Sequence, residues 1–550
     1  MEKKPQTQYL ETKKATCWTN DFDTFSVTVC VPDNEYRTDV LNYGYLAPYL
    51  LVFAPQRFSF EEACDFAEER GFFKLASKYA TSVVFVYPAS GDWNTASPDI
   101  FADIITESRI HQYYEDGIVT AHNRFSGQLE GYFIRGALFR TCLYGYGVSA
   151  DYIGRCLIKH FEGNWLWGKA DSAPVVCVLN GLGTTPKIEA SDIPIISVGN
   201  SEEINAYIKA NANYTYFKDN EDIFDDYERF ARPFKRMLKT LDIEENPEKD
   251  GLITEPGIEL LTTSGDNEGD DKGSEKHNVG YFAYYEKDAL KNGPVPLLLC
   301  FHGGGDSANY IAYMSGWVRI ALRHKFLLVS IENHLNSTAT EMIELIDILK
   351  KKYPIDETRI YVSGFSMGGC KSWDMIQEYP RILAAAAPMD ATFEVGLNVF
   401  GKGAPCEINR TVPVPVFYAG GELTPLPELP FQAQKCLDRT AYMFELNDIK
   451  KKYEVKLEEA SEWENPIWGI NGDKKYMTKD RDREGILTIQ LFESRNGKCY
   501  SAFASISNQG HEAREHTCEN AWRFMSCFRR MQDGSIDGGD INTIYNCFTY

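Results

Sequence analysis

The chain lacks a basic excess, long apolar runs and paired cysteines, and each absence removes a class of function. Its formal charge at pH 7 is −22. Nucleic-acid binding needs a basic face, and anionic membrane surfaces attract basic segments, so neither partner is expected. No run of about 18 apolar residues occurs, so no transmembrane helix is expected. The 14 cysteines are scattered without a CxxC pair. Cys177 and Cys300 sit inside apolar runs, where a small buried thiol is the ordinary reading. Neither a disulfide framework nor a metal site is predicted from this spacing. The opening MEKKPQTQYLETKKATCW has lysines but no apolar core, so no secretory signal is read. A reduced, cytoplasmic protein without cofactor or metal is the expectation.

What is present is length, and a repeat within it. A chain of 550 residues exceeds one ordinary core. The second half alternates short apolar runs with helical patterns: VPLLLCF (295–301), FLLVSI (326–331), RIYVS (359–363), ILAAAAPM (382–389) and VPVFYAG (414–420) read as strands. TEMIELIDILKKKY (340–353) and CKSWDMIQEY (370–379) read as helices. Such alternation predicts a mostly parallel sheet covered on both faces. Five stretches of the first half match the second in the same order. The pairs are YLLVFAPQR with LLLCFHGGG, GFFKLASKY…VVFV with GWVRIALRHKFLLVSI, RTCLYGYGVSA with RIYVSGFSMGG, IPIISVGN with VPVFYAGG, and ERFARPFKRM with WRFMSCFRRM. An internal duplication of one α/β domain is expected. The boundary falls at the polar, turn-rich IEENPEKDG, giving domains 1–245 and 253–550. The last pair is offset by about seventy residues more than the earlier ones, so the second domain carries an insertion at about 425–500, read as a lid or as a surface excursion. Within it ILTIQLFESRNGKCYSAFASI reads as a hairpin turning at Asn496-Gly497. The acidic loop 264–277 lacks a calcium-loop spacing and reads as solvated.

GFSMGG (364–369) fits G-x-S-x-G between a strand and a helix. That context pushes a serine hydroxyl out at the carboxyl edge of the sheet, making Ser366 the candidate nucleophile. Serine needs a base, and only His511 and His516 follow it in the sequence. His511 lies in a loop after a strand and is the candidate; His516 is the alternative. An acid is expected between nucleophile and histidine. Glu422 is the nearest carboxylate after VPVFYAG, with Glu428 and Asp390 as alternatives. FHGGG (301–305) can aim a backbone N–H at an oxyanion, so Gly304 and Met367 are the candidate donors. In the first half Gly147 stands where Ser366 stands, Ala54-Pro55 replace His302-Gly303, and Ser149 is two places from the elbow. A non-catalytic first domain is expected. Trp93, Trp165 and Trp167 could line a sugar or aromatic site there, although packing is the commoner role of such residues.

Taken together, HGGG, RIYVSGFSMGG and NQGHE make residues 253 to 535 resemble the α/β-hydrolase superfamily. More narrowly they resemble the poly(3-hydroxybutyrate) depolymerase and feruloyl esterase-like group, and YPIDETRIYVSGFSMGG is especially close. The resemblance implies two α/β-hydrolase-like domains in tandem and a serine ester hydrolase working through an acyl-enzyme on a small or oligomeric ester. The familiar acid-strand aspartate is missing, which leaves the acid open. A peptidase or acyl-aminoacyl hydrolase on the same scaffold, and a non-catalytic binding protein, are the competing readings. An edge strand would permit a homodimer without requiring one.

Overall fold

The computed structural model describes residues 7–33, 50–79, 81–104, 141–156, 174–188, 193–231, 246–262, 276–303, 308–332, 334, 337–392, 394–396, 408–424, 434–463, 465, 467–480 and 485–549. The chain divides into two compact units, Met1–Asp250 and Gly251–Tyr550. Each is built on one large mixed sheet accompanied by helices.

In the first unit the strands are β1 (Thr7–Leu10), β2 (Ala15–Asp21), β3 (Phe25–Pro32), β4 (Leu50–Phe53), β5 (Val83–Pro88), β6 (Cys142–Tyr146), β7 (Val176–Asn180), β8 (Ile195–Val198) and β9 (Thr215–Lys218). They run in the order β1-β2-β3-β5-β4-β6-β7-β8-β9. The first four in that order are mutually antiparallel, and pairing from β5 through β9 is parallel.

In the second unit the strands are β10 (Leu252–Thr262), β11 (Lys276–Glu286), β12 (Val295–Phe301), β13 (Leu327–Ile331), β14 (Ile355–Phe365), β15 (Ala385–Met389), β16 (Val416–Gly421), β17 (Lys474–Lys479), β18 (Ile486–Glu493) and β19 (Cys499–Ile506). Their order is β10-β11-β13-β12-β14-β15-β16-β19-β18-β17. From β3 to β9 and from β11 to β19 the two sheets follow the same course: an antiparallel strand, a crossed pair, then parallel strands in sequence order. The collinear sequence matches fall on equivalent strands, RTCLYGYG on β6 and RIYVSGFS on β14.

The continuous apolar runs become strands because helices cover both faces, so no position along them can be polar at low cost. β12 is buried at every residue, as is β4. The predicted helix 340–353 forms as Ala339–Lys352. Thr338 caps it, its side chain accepting from Glu341 N–H while Glu341 reaches back to the cap backbone. Its three terminal lysines suit the negative end of the helix dipole.

The expected insertion takes a different form from a lid among the described residues. The helix Gln434–Leu446 buries Tyr442, Met443 and Phe444 in the main core. Trp468 is fully buried, its ring 4.6 Å from Tyr418 and 5.4 Å from Phe503. β18 and β17 then extend the sheet past β19 by antiparallel pairing, with Gly497 at the hairpin turn in the left-handed region, φ 79°. Apolar side chains at 442–444, 467 and 468 drive this packing, since leaving them on a mobile flap would forgo their transfer free energy. Residues 425–433, 464, 466 and 481–484 of the insertion lie outside the described residues, as does most of the acidic loop 264–277. Trp468→Ala should therefore cost about 3–5 kcal/mol of stability, as large aromatic truncations in cores do. Urea unfolding monitored on the second unit checks this, and a loss below about 1 kcal/mol would return the segment to the role of a surface flap.

Candidate active site

β14 ends at Phe365, and the helix Met367–Glu378 begins two residues later. Ser366 alone makes the turn, at φ 54° and ψ −120°. A non-glycine residue in that region costs roughly 1–3 kcal/mol and persists only where its surroundings impose it. Here they do. Ser366 N–H donates to Met389 O at the end of β15, 3.0 Å away. A β-carbon at Gly364 would overlap the Gly368 carbonyl, and one at Gly368 would overlap Phe301 O at the end of β12. One at Gly369 would press on Ala391 and Met389 O. The glycines let the helix start sit between two strand ends, and this close seating holds the serine in its strained conformation.

β19 delivers the histidine. After Ile506 the chain turns through Asn508, at φ 61°, and His511 Nε2 stands 2.9 Å from Ser366 Oγ. The His511 ring packs on Phe365, with centroids 4.6 Å apart. It is 8% exposed. Burial lowers its pKa from 6.5 to about 4, because the charged imidazolium loses hydration. The ring is therefore neutral at pH 7, the state required of a base. His516 sits in the first turn of the helix Glu515–Met525 and is not the residue paired with Ser366.

The carboxylates fall out differently from the sequence expectation. Glu422 follows β16 as expected, but it is half-buried and its carboxylate bonds to Ser505, with burial raising its pKa. It is not brought to His511, whose Nδ1 has no partner among the described residues. Glu428 lies outside the described residues. Asp390 is 1% exposed, in the left-handed region at φ 45°, directly after β15. Its Oδ1 accepts from Gly421 N–H at 2.8 Å and its Oδ2 from Glu512 N–H at 3.2 Å. It thus ties the end of β16 to the residue next to His511. Burial pushes Asp390 up to about 8, against the downward pull of those two donors.

Of the glycine-rich turn, His302 and Gly303 are described and Gly304 is not. The His302 ring lies within hydrogen-bond distance of Gly303 O (2.7 Å) and Glu332 O (2.5 Å), and His334 Nε2 reaches His302 O at 2.9 Å. The turn is thereby pinned from beneath by buried imidazoles. Met367 opens the elbow helix, so its N–H belongs to the first turn, which has no intrahelical acceptor and carries the positive end of the dipole.

In the first unit Gly147 takes φ 55° at the matching turn between β6 and the helix Val148–Cys156. The elbow is kept without its hydroxyl. Ser149 is fully buried, donating to Phe53 O at 2.5 Å and accepting from Tyr146 N–H at 2.8 Å. Trp93 is a core residue, its Nε1 donating to Ala54 O at 2.6 Å; Trp165 and Trp167 lie outside the described residues.

Glycine tolerates this turn and alanine does not. Ser366→Gly should therefore unfold at higher denaturant than Ser366→Ala, by about 1 kcal/mol. Equal midpoints would mean the turn is unstrained.

No family model matches the chain. Over 135 residues it is 33% identical to the bifunctional acetylxylan esterase/xylanase XynS20E of Neocallimastix patriciarum, which covers 23% of this chain and 19% of that protein. Over 114 residues it is 27% identical to poly(3-hydroxyalkanoate) depolymerase C of Paucimonas lemoignei, covering 17% of this chain and 27% of that protein. The chain thus matches only about a fifth to a quarter of the length of these curated relatives. Among solved structures, the acetyl xylan esterase of Aspergillus awamori aligns over 49% of this chain and 99% of its own, at 11% identity and a TM-score of 0.31. The S-formylglutathione hydrolase of Staphylococcus aureus aligns over 36% of this chain and 86% of its own, at 18% identity and a TM-score of 0.27.

Proposed function

We propose that this α/β-hydrolase chain is a serine hydrolase of carboxylic esters, acting through an acyl-enzyme formed on Ser366. The observation that carries the reading is the 2.9 Å approach of His511 Nε2 to Ser366 Oγ at a strained strand-to-helix turn. His511 takes the serine proton as Oγ attacks the ester carbonyl, then gives it to the leaving alcohol; water repeats the sequence to release the acid. The Met367 N–H and a donor from the turn at 302–305 receive the oxyanion. Asp390 acts as a positioning residue, holding the His511 loop through the Glu512 N–H rather than touching the ring. The names of the matched relatives, an acetylxylan esterase and a poly(3-hydroxyalkanoate) depolymerase, support a short acyl or hydroxyacyl ester as substrate.

A fluorophosphonate probe followed by peptide mapping tests this. One adduct is expected, on the peptide containing Ser366, with neither adduct nor turnover of a short-chain p-nitrophenyl ester in Ser366→Ala. Asp390→Ala should slow labelling at least tenfold, while Glu422→Gln stays within about threefold of wild type. A folded wild-type chain that takes no probe would sink the proposal.

The pH profile offers a separate check. A base whose pKa is lowered stays neutral as pH falls through 6.5, so the acid limb of kcat/KM should lie near pH 4. A limb near 6.5 would mean that the imidazole is hydrated, or supported by a charge, during turnover.

A further inference from the structure

Three thiols converge in the first unit, which holds no part of the Ser366–His511 pair. Cys17 on β2 and Cys30 on β3 are directly opposed across the hairpin, with Sγ atoms 3.5 Å apart. Cys64 comes from the covering helix Phe60–Glu69 and brings its Sγ to 3.6 Å from that of Cys17. All three sulfurs lie within 4.8 Å of one another, and all three residues are 0% exposed. Strand register accounts for the first pair. The third thiol requires the helix to turn a particular face inward, and that face consists of Ala63, Cys64 and Ala67. The two alanines let the helix approach the sheet closely, and the cysteine fills the space between them with sulfur.

The triangle has the dimensions of a coordination site. With sides of 3.5 and 3.6 Å and a third of at most 4.8 Å, its centre lies no more than about 2.4 Å from each sulfur, against about 2.3 Å for a zinc–thiolate bond. An ion at the centre, or slightly above the plane, reaches all three donors with shifts of a few tenths of an ångström. Among the described residues no imidazole or carboxylate joins the cluster, so the donor set is sulfur alone. Thiolates select soft, closed-shell ions such as Cu(I) and Zn(II) over Mg(II), Ca(II) and Mn(II).

We propose that Cys17, Cys30 and Cys64 bind one soft, closed-shell metal ion in a buried three-sulfur site, which completes trigonal coordination of Cu(I) and leaves Zn(II) one donor short of its usual four. Binding releases thiol protons to solvent as the metal–sulfur bonds form. The ion ties the β2–β3 hairpin to the helix Phe60–Glu69, and nothing in the proposed hydrolysis depends on it. The competing fate of the same atoms is a Cys17–Cys30 disulfide, which would need the two sulfurs to close to about 2.05 Å and would leave Cys64 without a role.

The test uses the full chain, purified under reducing, oxygen-free conditions and assayed for metal by native mass and elemental analysis. One copper or zinc per chain is expected, and which ion is found identifies the source. After removal by a chelator, one equivalent of Cu(I) or Cd(II) should restore a thiolate-to-metal absorption band and protect three cysteines from alkylation, mapped to positions 17, 30 and 64. Cys64→Ser should lose the ion while still labelling at Ser366. Should that variant fail to fold, the wild-type stoichiometry and the mapped protection decide alone. A wild-type chain that binds no equivalent, protection that maps elsewhere, or a Cys17–Cys30 disulfide in the native peptide map overturns the proposal. Because Ser366 labelling is read separately, failure here leaves the esterase reading standing, and the reverse also holds.

Discussion

Three missing β-carbons hold the second unit's site together. At Gly364, Gly368 and Gly369 any side chain would run into a carbonyl or a neighbouring residue. Their absence lets the helix Met367–Glu378 start hard against the ends of β12 and β15. That seating forces Ser366 into a conformation serine does not choose, and the cost is offset by the surrounding sheet rather than locally. The same seating aims the first-turn N–H groups at the space in front of the hydroxyl. A looser elbow would lose the serine's exposure and the donors' aim together.

The second constraint is dryness around His511. Burial, rather than a charged partner, sets its protonation state here. Nδ1 meets no acceptor among the described residues, and the orientation of the ring comes from its Ser366 bond, its contact with Phe365 and the backbone on either side. Asp390 contributes to that backbone. Its two oxygens span from Gly421 to Glu512, so the strand end and the histidine loop share one buried anchor. Gly421 adds to this closeness, because a β-carbon there would crowd Gln509 and Gly510.

Much of this was legible in the sequence where the physics is local. Apolar runs such as 295–301 became strands because a sheet covered on both faces leaves few other homes for them. Ser366 and His511 were visible because an elbow needs glycines at fixed offsets and the histidine follows in order. The ranking of the carboxylates was not legible: Glu422, the first choice, sits where sequence order directs, but its hydrogen bond goes to Ser505, a contact no spacing reveals. Asp390, named only as an alternative, accepts from the N–H of a residue 122 positions away. The insertion at about 425–500 read equally as a lid or as a surface excursion, yet Phe444 and Trp468 draw its described part into the core. The cysteine cluster joins residues from three elements, and only register and helix rotation bring them together.

Ser149 carries a consequence for any attempt to awaken the first unit. In the second unit the matching position is Gly368, where no side chain fits beneath the Phe301 carbonyl. In the first, a serine occupies that place and bonds Phe53 O. The helix start there leaves room for a side chain beneath that carbonyl, which the second unit's does not. Restoring a hydroxyl at Gly147 would supply a nucleophile beside a serine already committed to the Phe53 carbonyl. The serine that fills this place also stabilises it, so removing it breaks its bonds with Phe53 O and Tyr146 N–H before the close fit is regained. Directed evolution stepping one residue at a time would meet a loss of stability in either order, and the way back from elbow to enzyme is a valley rather than a slope.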